Sequence, residues 1–239
     1  MIVPIDHGIV NGNISGLEDP KAMIERLAEA GVDGTLMSAG WARRIGHIAR
    51  DNGMSLSLAA DFQVWGSKPG RLEDVRGHVQ ILSVLRARAL GADAVKVLFP
   101  WGLPDHVLQE NVALIAELAE ECQDVGLPLM VEPLWMGEDI SDNEHDHLIV
   151  NASRIAVELG ADILKIPAVS VAALEQILTW DVPTVFLGGA KQEDPKALFE
   201  AIASGIRAGA RGIVMGRNVW QSERMVDVIA DLRSLLQDT

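Results

Sequence analysis

Apolar residues along the chain fall into short runs, separated by longer stretches in which they recur every three or four positions. The runs are Ile2 to Ile5, Gly34 to Met37, Ser55 to Ala60, Ala94 to Phe99, Leu129 to Glu132, Ile163 to Ile166, Thr184 to Leu187 and Gly212 to Met215. Glycine, proline or a charged residue bounds each run, as expected of strands buried on both faces. The stretches between them predict helices over about Pro20–Ala30, Trp41–Asn52, Leu72–Leu90, Pro104–Asp124, Asp146–Leu159, Ser170–Leu178 and Pro195–Ala208, with a last one running to about Leu236. Asp19 is the expected N-cap of the first helix, with Pro20 at its first position and Gly31 ending it. The spacing of Val75, Val79, Leu82 and Arg86 is what assigns Leu72–Leu90 to a helix. Asn11 to Asp19 and the segment holding Gly66, Pro69 and Gly70 read as loops.

Strand and helix therefore alternate about eight times, the pattern of parallel strands joined by helical crossovers. A weak repeat accompanies it. Gly31-Val32-Asp33, Gly91-Ala92-Asp93, Gly160-Ala161-Asp162 and Gly209-Ala210-Arg211 each place a helix-ending glycine just before a strand. No linker or shift in composition divides the chain. The expected fold is a single (β/α)8 barrel over residues 1–239. A doubly wound open sheet is the second choice, but it needs a glycine-rich phosphate turn after the first strand, and Gly8-Ile9-Val10-Asn11-Gly12 is not one. The chain begins almost inside its first strand, so an N-terminal segment capping the barrel floor is expected to be absent or removed.

Composition narrows the class. The 239 residues are 49% hydrophobic, enough for a large core. No apolar stretch is long enough for a membrane span, and no secretory leader opens the chain. One cysteine, Cys122, excludes an internal disulfide framework; it reads as packing within a helix, and a cytoplasmic location is expected. The formal net charge of −14 argues against nucleic-acid partners. It leaves room for a small anionic substrate held locally by a helix N-terminus and a basic residue.

The chemistry lies in charged residues that interrupt the apolar runs. In a barrel, active residues gather at the C-terminal ends of the strands. The first, fourth, fifth and sixth strands end near Asp6, Lys96, Glu132 and Lys165. A lysine in such a run is not expected to be buried unless paired, and burial favours its neutral amine, which can attack a carbonyl and form an imine. Lys165 would form the imine; Lys96 would disfavour its protonated form and hydrogen-bond a substrate hydroxyl. Glu132 would shuttle protons, and Asp6 would take the hydroxyl proton whose loss drives carbon–carbon cleavage. The alternative is two ion pairs closing the barrel mouth. From pattern alone, either lysine could be the nucleophile. Leu187-Gly188-Gly189-Ala190-Lys191 and Met215-Gly216-Arg217-Asn218 follow the seventh and eighth strands, where barrels commonly hold phosphate; Arg217 could fork onto two phosphate oxygens. The glycines could equally just make tight turns.

These residues resemble the class I aldolase superfamily, and especially its archaeal-type fructose-bisphosphate aldolase branch. Pro4-Ile5-Asp6-His7-Gly8 with Gly16-Leu17-Glu18 is similar to that branch's opening. Gly188-Gly189 with Lys191, and Gly216-Arg217-Asn218-Val219-Trp220-Gln221, are similar to its phosphate site. The likeness covers nearly the whole chain. Glu132 stands where the branch usually has a tyrosine proton donor, and the branch usually lacks a lysine at the position of Lys96. Both departures make the site more similar to tagatose-bisphosphate and animal-type fructose-bisphosphate aldolases, which use Asp, Lys, Glu and Lys on strands one, four, five and six. Leu187 replaces a frequent serine. The resemblance implies a Schiff base on Lys165, a phosphorylated ketose as substrate, dihydroxyacetone phosphate as the released donor half, no cofactor or metal, and a homo-oligomer. It also admits transaldolase- or thiolase-type transfer on the same lysine. A non-catalytic sugar-phosphate-binding barrel is the reading from a different class.

Other candidates carry less. His145 and His147 are expected in an exposed acidic loop rather than a metal site. His7 adjoins Asp6 and could orient it or the substrate. Asp61 could meet a substrate hydroxyl or cap a turn. Trp65, Trp101 and Trp135 follow strand ends and could wall the pocket or simply pack. The loop Phe62–Arg71 is expected to set the acceptor aldehyde.

Overall fold

A computed structural model describes residues 1–65 and 75–237. Eight parallel strands close a barrel: β1 (Ile2–Pro4), β2 (Gly34–Ser38), β3 (Ser55–Ala59), β6 (Ala94–Trp101), β7 (Leu129–Trp135), β8 (Ile163–Ile166), β9 (Thr184–Leu187) and β10 (Gly212–Val214). They neighbour one another in chain order, and the pairing of Ile2 with Val214 closes the ring. The open-sheet alternative is thereby excluded. Outside the barrel lie α2 (Pro20–Glu29), α3 (Ala39–Asp51), α4 (Val84–Ala89), α5 (Asp105–Val125), α6 (Asp142–Glu158), α7 (Val171–Leu178), α8 (Lys196–Ala208) and α10 (Met225–Gln237). Two four-residue helices, α1 (Gly8–Asn11) and α9 (Arg217–Trp220), sit at the ends of β1 and β10. No described helix is long and apolar enough to cross a membrane.

Local signals account for the elements. The Asp19 carboxylate accepts the Ala22 N–H at 3.0 Å, with Pro20 at the first helical position. Ser141 and Glu144 form a reciprocal capping box on α6. The repeat has a structural meaning. After the helix-ending glycines 91 and 160, the Asp93 carboxylate accepts the Leu56 N–H and the Asp162 carboxylate accepts the Leu129 N–H, each at 2.8 Å. Each aspartate thus pins the start of the preceding barrel strand.

The structure departs from the sequence pattern between β3 and α4. In place of one helix over Leu72–Leu90, an antiparallel hairpin pairs β4 (Asp61–Trp65) with β5 (Val75–Gln80), and only Val84–Ala89 is helical. Val75, Gly77 and His78 are buried while Arg76 and Val79 are exposed. The four residues that matched helical spacing include only two that belong to β5. Phe62–Trp65 is likewise strand rather than loop; Gly66, Pro69, Gly70 and Arg71 lie outside the described residues. Residues 8–11, read as leading into a loop, form α1. The C-terminal helix is divided into α9 and α10. His145 and His147 lie within α6, because the Ser141 cap starts that helix earlier than expected.

The strands β6 and β7 are also longer than predicted, continuing through Pro100 and Pro133 to Trp101 and Trp135. Over that extension they pair with each other, Phe99 with Pro133 and Pro100 with Leu134. Their other neighbours have ended: β3 pairs only as far as Lys96, and β8 only as far as Val131. A missing proline N–H is tolerated on a strand edge without a partner. Lys96 and Glu132 consequently stand inside their strands rather than at the ends.

Candidate active site

The strand register places the charged residues. On β7 and β8 the last paired residues are Val131 and Leu164, so Glu132 and Lys165 follow side by side. On β6, Lys96 is level with Met130, two residues before Glu132 and hence one layer deeper on the same face. Side chains from adjacent strands on one face lie within reach of each other. The Glu132 carboxylate bridges both lysines, with Oε2 2.7 Å from Lys96 Nζ and Oε1 3.0 Å from Lys165 Nζ. All three residues are under a tenth exposed.

Burial alone would raise the pKa of Glu132, but the charges of Lys165 and Lys96 and their hydrogen bonds hold it below the usual carboxylate range. Asp6, just past the end of β1, is lowered in the same way: burial opposes, while His7, Lys96 and Lys165 pull it down. Burial pushes the Lys96 ammonium down, but Glu132, Asp61 and Asp6 more than offset this and hold it above its ordinary value. All four residues singled out from the sequence therefore meet at one mouth.

The His7 ring lies beside Asp6, Nδ1 to Oδ1 at 3.3 Å, without hydrogen-bond geometry. Its other face meets Trp220 edge-on at 5.3 Å, and Trp220 donates from Nε1 to the Pro4 carbonyl at 3.0 Å. Gly216 is required here by space: a Cβ would sit 2.9 Å from His7 and 3.1 Å from the Pro4 oxygen.

The loops after β9 and β10 are tied together by Asn218. Its amide donates to the carbonyls of Gly188 (2.8 Å) and Ala190 (3.0 Å), and its oxygen accepts the Gln192 N–H (2.9 Å). Gly188 and Gly189 thus approach Gly216 and Arg217 around one rim of the mouth. The Arg217 Nε is buried without a partner among the described residues. Burial lowers the pKa of its guanidinium and the charge of Glu132 opposes that, so Arg217 lies within electrostatic reach of the ion pairs. Lys191 instead donates to the Gln221 carbonyl at 2.8 Å, on the exposed side. Asn218 was visible in the sequence only as part of a motif; its bracing role needed the structure.

The remaining candidates divide. Asp61 caps no simple turn: Oδ2 accepts from the Leu98 N–H at 3.1 Å and pairs with His78 Nε2 at 2.9 Å. Trp101 packs on Phe99, ring centroids 5.0 Å apart, and Trp135 donates to the Glu138 carbonyl at 2.8 Å, so both serve the extension of β6 and β7. The Cys122 thiol is buried in α5, where burial pushes it up to about 12, in keeping with packing. His78 was missed altogether. Val75-Arg76-Gly77-His78-Val79-Gln80 carries no clean apolar–polar alternation, and the helical match concealed the strand.

Comparison with known proteins places this arrangement among aldolases. The chain is 31% identical over 236 residues to the 2-amino-4,5-dihydroxy-6-oxo-7-(phosphonooxy)heptanoate synthase of Streptomyces griseus, covering 97% of this chain and 83% of the relative. An archaeal fructose 1,6-bisphosphate aldolase superposes with a TM-score of 0.82 at 27% identity, covering all of this chain and 93% of the other. A Schiff-base-forming fructose-1,6-bisphosphate aldolase superposes with a TM-score of 0.81 at 25% identity, over 98% of this chain and 93% of the other. The family model for DeoC/LacD family aldolases matches residues 1–222. With that match spanning the barrel and every strand that carries a buried charge, the chain belongs to the DeoC/LacD aldolase family and is a carbon–carbon lyase.

Proposed function

We propose that the protein is a metal-independent class I aldolase that reversibly cleaves a phosphorylated ketose through an imine on Lys165, releasing dihydroxyacetone phosphate. The observation that carries this reading is the buried Lys96–Glu132–Lys165 bridge at the barrel mouth, with Asp6 electrostatically coupled to both lysines. The Lys165 amine, once it has passed a proton to Glu132, attacks the ketose carbonyl carbon. Glu132 then protonates the carbinolamine oxygen, which leaves as water, and the resulting iminium is the electron sink. Asp6 removes the proton of the hydroxyl two carbons from the iminium carbon. The bond from that hydroxyl-bearing carbon to the carbon next to the iminium breaks, its electrons flow into the enamine, and the aldehyde departs. Protonation of the enamine carbon and hydrolysis return Lys165 and release the ketone half.

Phosphate would be held by Arg217 and the backbone around Gly188, Gly189 and Gly216, with His7 lining the approach. The name of the Streptomyces griseus relative supports the donor half: it places an oxo group at carbon 6 beside a phosphonooxy group on carbon 7, a ketone next to a phosphorylated carbon, as in fructose bisphosphate. The same name supports a second reading, in which the triose unit is transferred to a non-sugar acceptor.

The test is a panel of ketose mono- and bisphosphates, assayed for triose-phosphate release and, with borohydride, for a stable adduct. A sugar-phosphate-binding barrel without catalysis gives neither. Two further outcomes are expected. Activity persists in EDTA, because the iminium takes up the electrons; complete loss restored by zinc would refute this. Arg217→Ala raises KM for a phosphorylated substrate roughly 10- to 100-fold, the worth of charge-assisted bonds of about 1.5–3 kcal/mol. A non-phosphorylated analogue should change far less, and equal losses would make Arg217 a structural residue.

A further inference from the structure

The β4–β5 hairpin brings to the barrel mouth two buried groups that the imine chemistry leaves unused, Asp61 and His78. The His78 side chain is fully buried. Its Nε2 lies 2.9 Å from Asp61 Oδ2 and its Nδ1 lies 2.7 Å from Asn111 Oδ1. The orientation of Asn111 follows from its other end, where Nδ2 donates to the Pro100 carbonyl at 2.9 Å. Turning that amide over would set two oxygens against each other, so Oδ1 faces the ring and accepts. Asp61 accepts as well. Burial alone would raise its pKa, but Lys96, His78 and the Leu98 N–H draw it down to about 2. Both ring nitrogens thus face acceptors, and only an imidazolium donates from both. Among the described residues a further anion close to His78 is Glu110 on α5, which takes the His78 backbone N–H at 2.9 Å. Gly77 makes room for it: a Cβ there would lie 3.0 Å from the Glu110 oxygen.

We propose that His78 is a buried imidazolium and that Asp61, clamped by it, is a positioning residue that keeps Lys96 a cation. Charge then alternates along a line from His78 through Asp61, Lys96 and Glu132 to Lys165. Lys96 is faced by three anions: Asp61 from β4, Glu132 from β7 and Asp6 from beyond β1. Among the described residues the same carboxylates also engage Lys165 from β8, through Glu132 and Asp6, His7 through Asp6, and Arg217 through Glu132. Lys165 shares Glu132 and feels Asp6, but among the described residues the hairpin's Asp61 is coupled to Lys96 and not to Lys165. The extra anion makes Lys96 the lysine that stays protonated and leaves Lys165 to form the imine. This division of labour rests on the aldolase reading; the charge of His78 does not.

Two measurements test it. In nitrogen-15 NMR of the folded, substrate-free protein at neutral pH, with His78 assigned by its loss in His78→Gln, both ring nitrogens should carry a proton. A ring with one protonated nitrogen would overturn the charged line, whatever the protein catalyses. In Asp61→Asn, kcat/KM should fall roughly 10- to 100-fold, as for a reacting group held slightly out of place. The alkaline limb of its pH profile should move down by about one unit or more, because Lys96 loses an opposing charge that favours its protonated form. Borohydride label, confined to Lys165 in the wild type, should be shared with Lys96, and Asp61→Glu should restore the profile in part. An unmoved alkaline limb with label on Lys165 alone would overturn the positioning role. If the wild type is labelled on no lysine by any ketose phosphate, the aldolase reading fails, while the NMR result still decides the state of His78.

Discussion

Lys165→Ala will abolish the borohydride-trapped adduct and nearly all turnover, a loss on the order of 10⁴- to 10⁶-fold, as when a covalent nucleophile is removed. Lys96→Ala will slow the reaction by roughly 10²–10³-fold, the usual cost of removing one charge-stabilising donor, yet will still permit trapping on Lys165. The difference follows from the surroundings of the two amines. Both are buried and both touch Glu132, at 2.7 Å and 3.0 Å. Only Lys96 also answers to Asp61, and it is held above its ordinary pKa by Glu132, Asp61 and Asp6 against the effect of burial. A lysine held as a cation donates hydrogen bonds well and attacks carbonyls poorly. Peptide mapping of the reduced adduct is the decisive measurement. A label on Lys96 in the wild type would reverse the roles. No label with any ketose phosphate would favour a binding barrel without imine chemistry.

The second large effect concerns Glu132. Glu132→Ala leaves Lys96 and Lys165 buried beside each other with no carboxylate between them. Breaking a buried pair by removing one partner costs about 3–5 kcal/mol. For a chain of this size each kcal/mol corresponds to about 2–4 °C in Tm, so the melting temperature should fall by roughly 6–20 °C. Glu132→Gln keeps the shape and part of the hydrogen bonding and should lose less stability. Both variants should lose about 10²–10⁴-fold in turnover, because neither amide nor methyl can carry the protons of carbinolamine formation and dehydration. Calorimetry and steady-state rates separate the two roles. A Glu132→Gln enzyme with near-normal turnover would show that the carboxylate only holds the lysines in place.

Most of the barrel is legible in one dimension. Each strand of a parallel barrel is buried on both faces, so it appears as an uninterrupted apolar run, and a glycine, proline or charge shows where it stops. The same rule exposes the reactive groups. A charged residue within or just past such a run needs a partner, and four of them around a barrel are brought to one mouth by the fold itself. Asp6, Lys96, Glu132 and Lys165 could therefore be named before any coordinate. Their depth could not. Prolines 100 and 133 read as strand ends, although on an edge without a second neighbour they interrupt nothing.

The amino-acid sequence by itself determined the alternation of strands and helices, their parallel closure and the charged residues at the mouth. Tertiary structure decided how Glu132 divides its two oxygens between the lysines, how Asn218 braces the rim, and that Val75–Gln80 is a strand at all. The physical reason is the range of the interactions. Periodicity reports which side of a segment is apolar, and for Val75, Val79, Leu82 and Arg86 it matched a helix. It says nothing of which segment will supply hydrogen-bond partners. The carboxylate of Asp61 is 17 residues from the ring of His78, and that ring is 33 residues from the amide of Asn111. These groups meet only because β5 returns antiparallel along β4 and α5 packs against it, and only in that arrangement can a buried imidazole find an acceptor at each nitrogen.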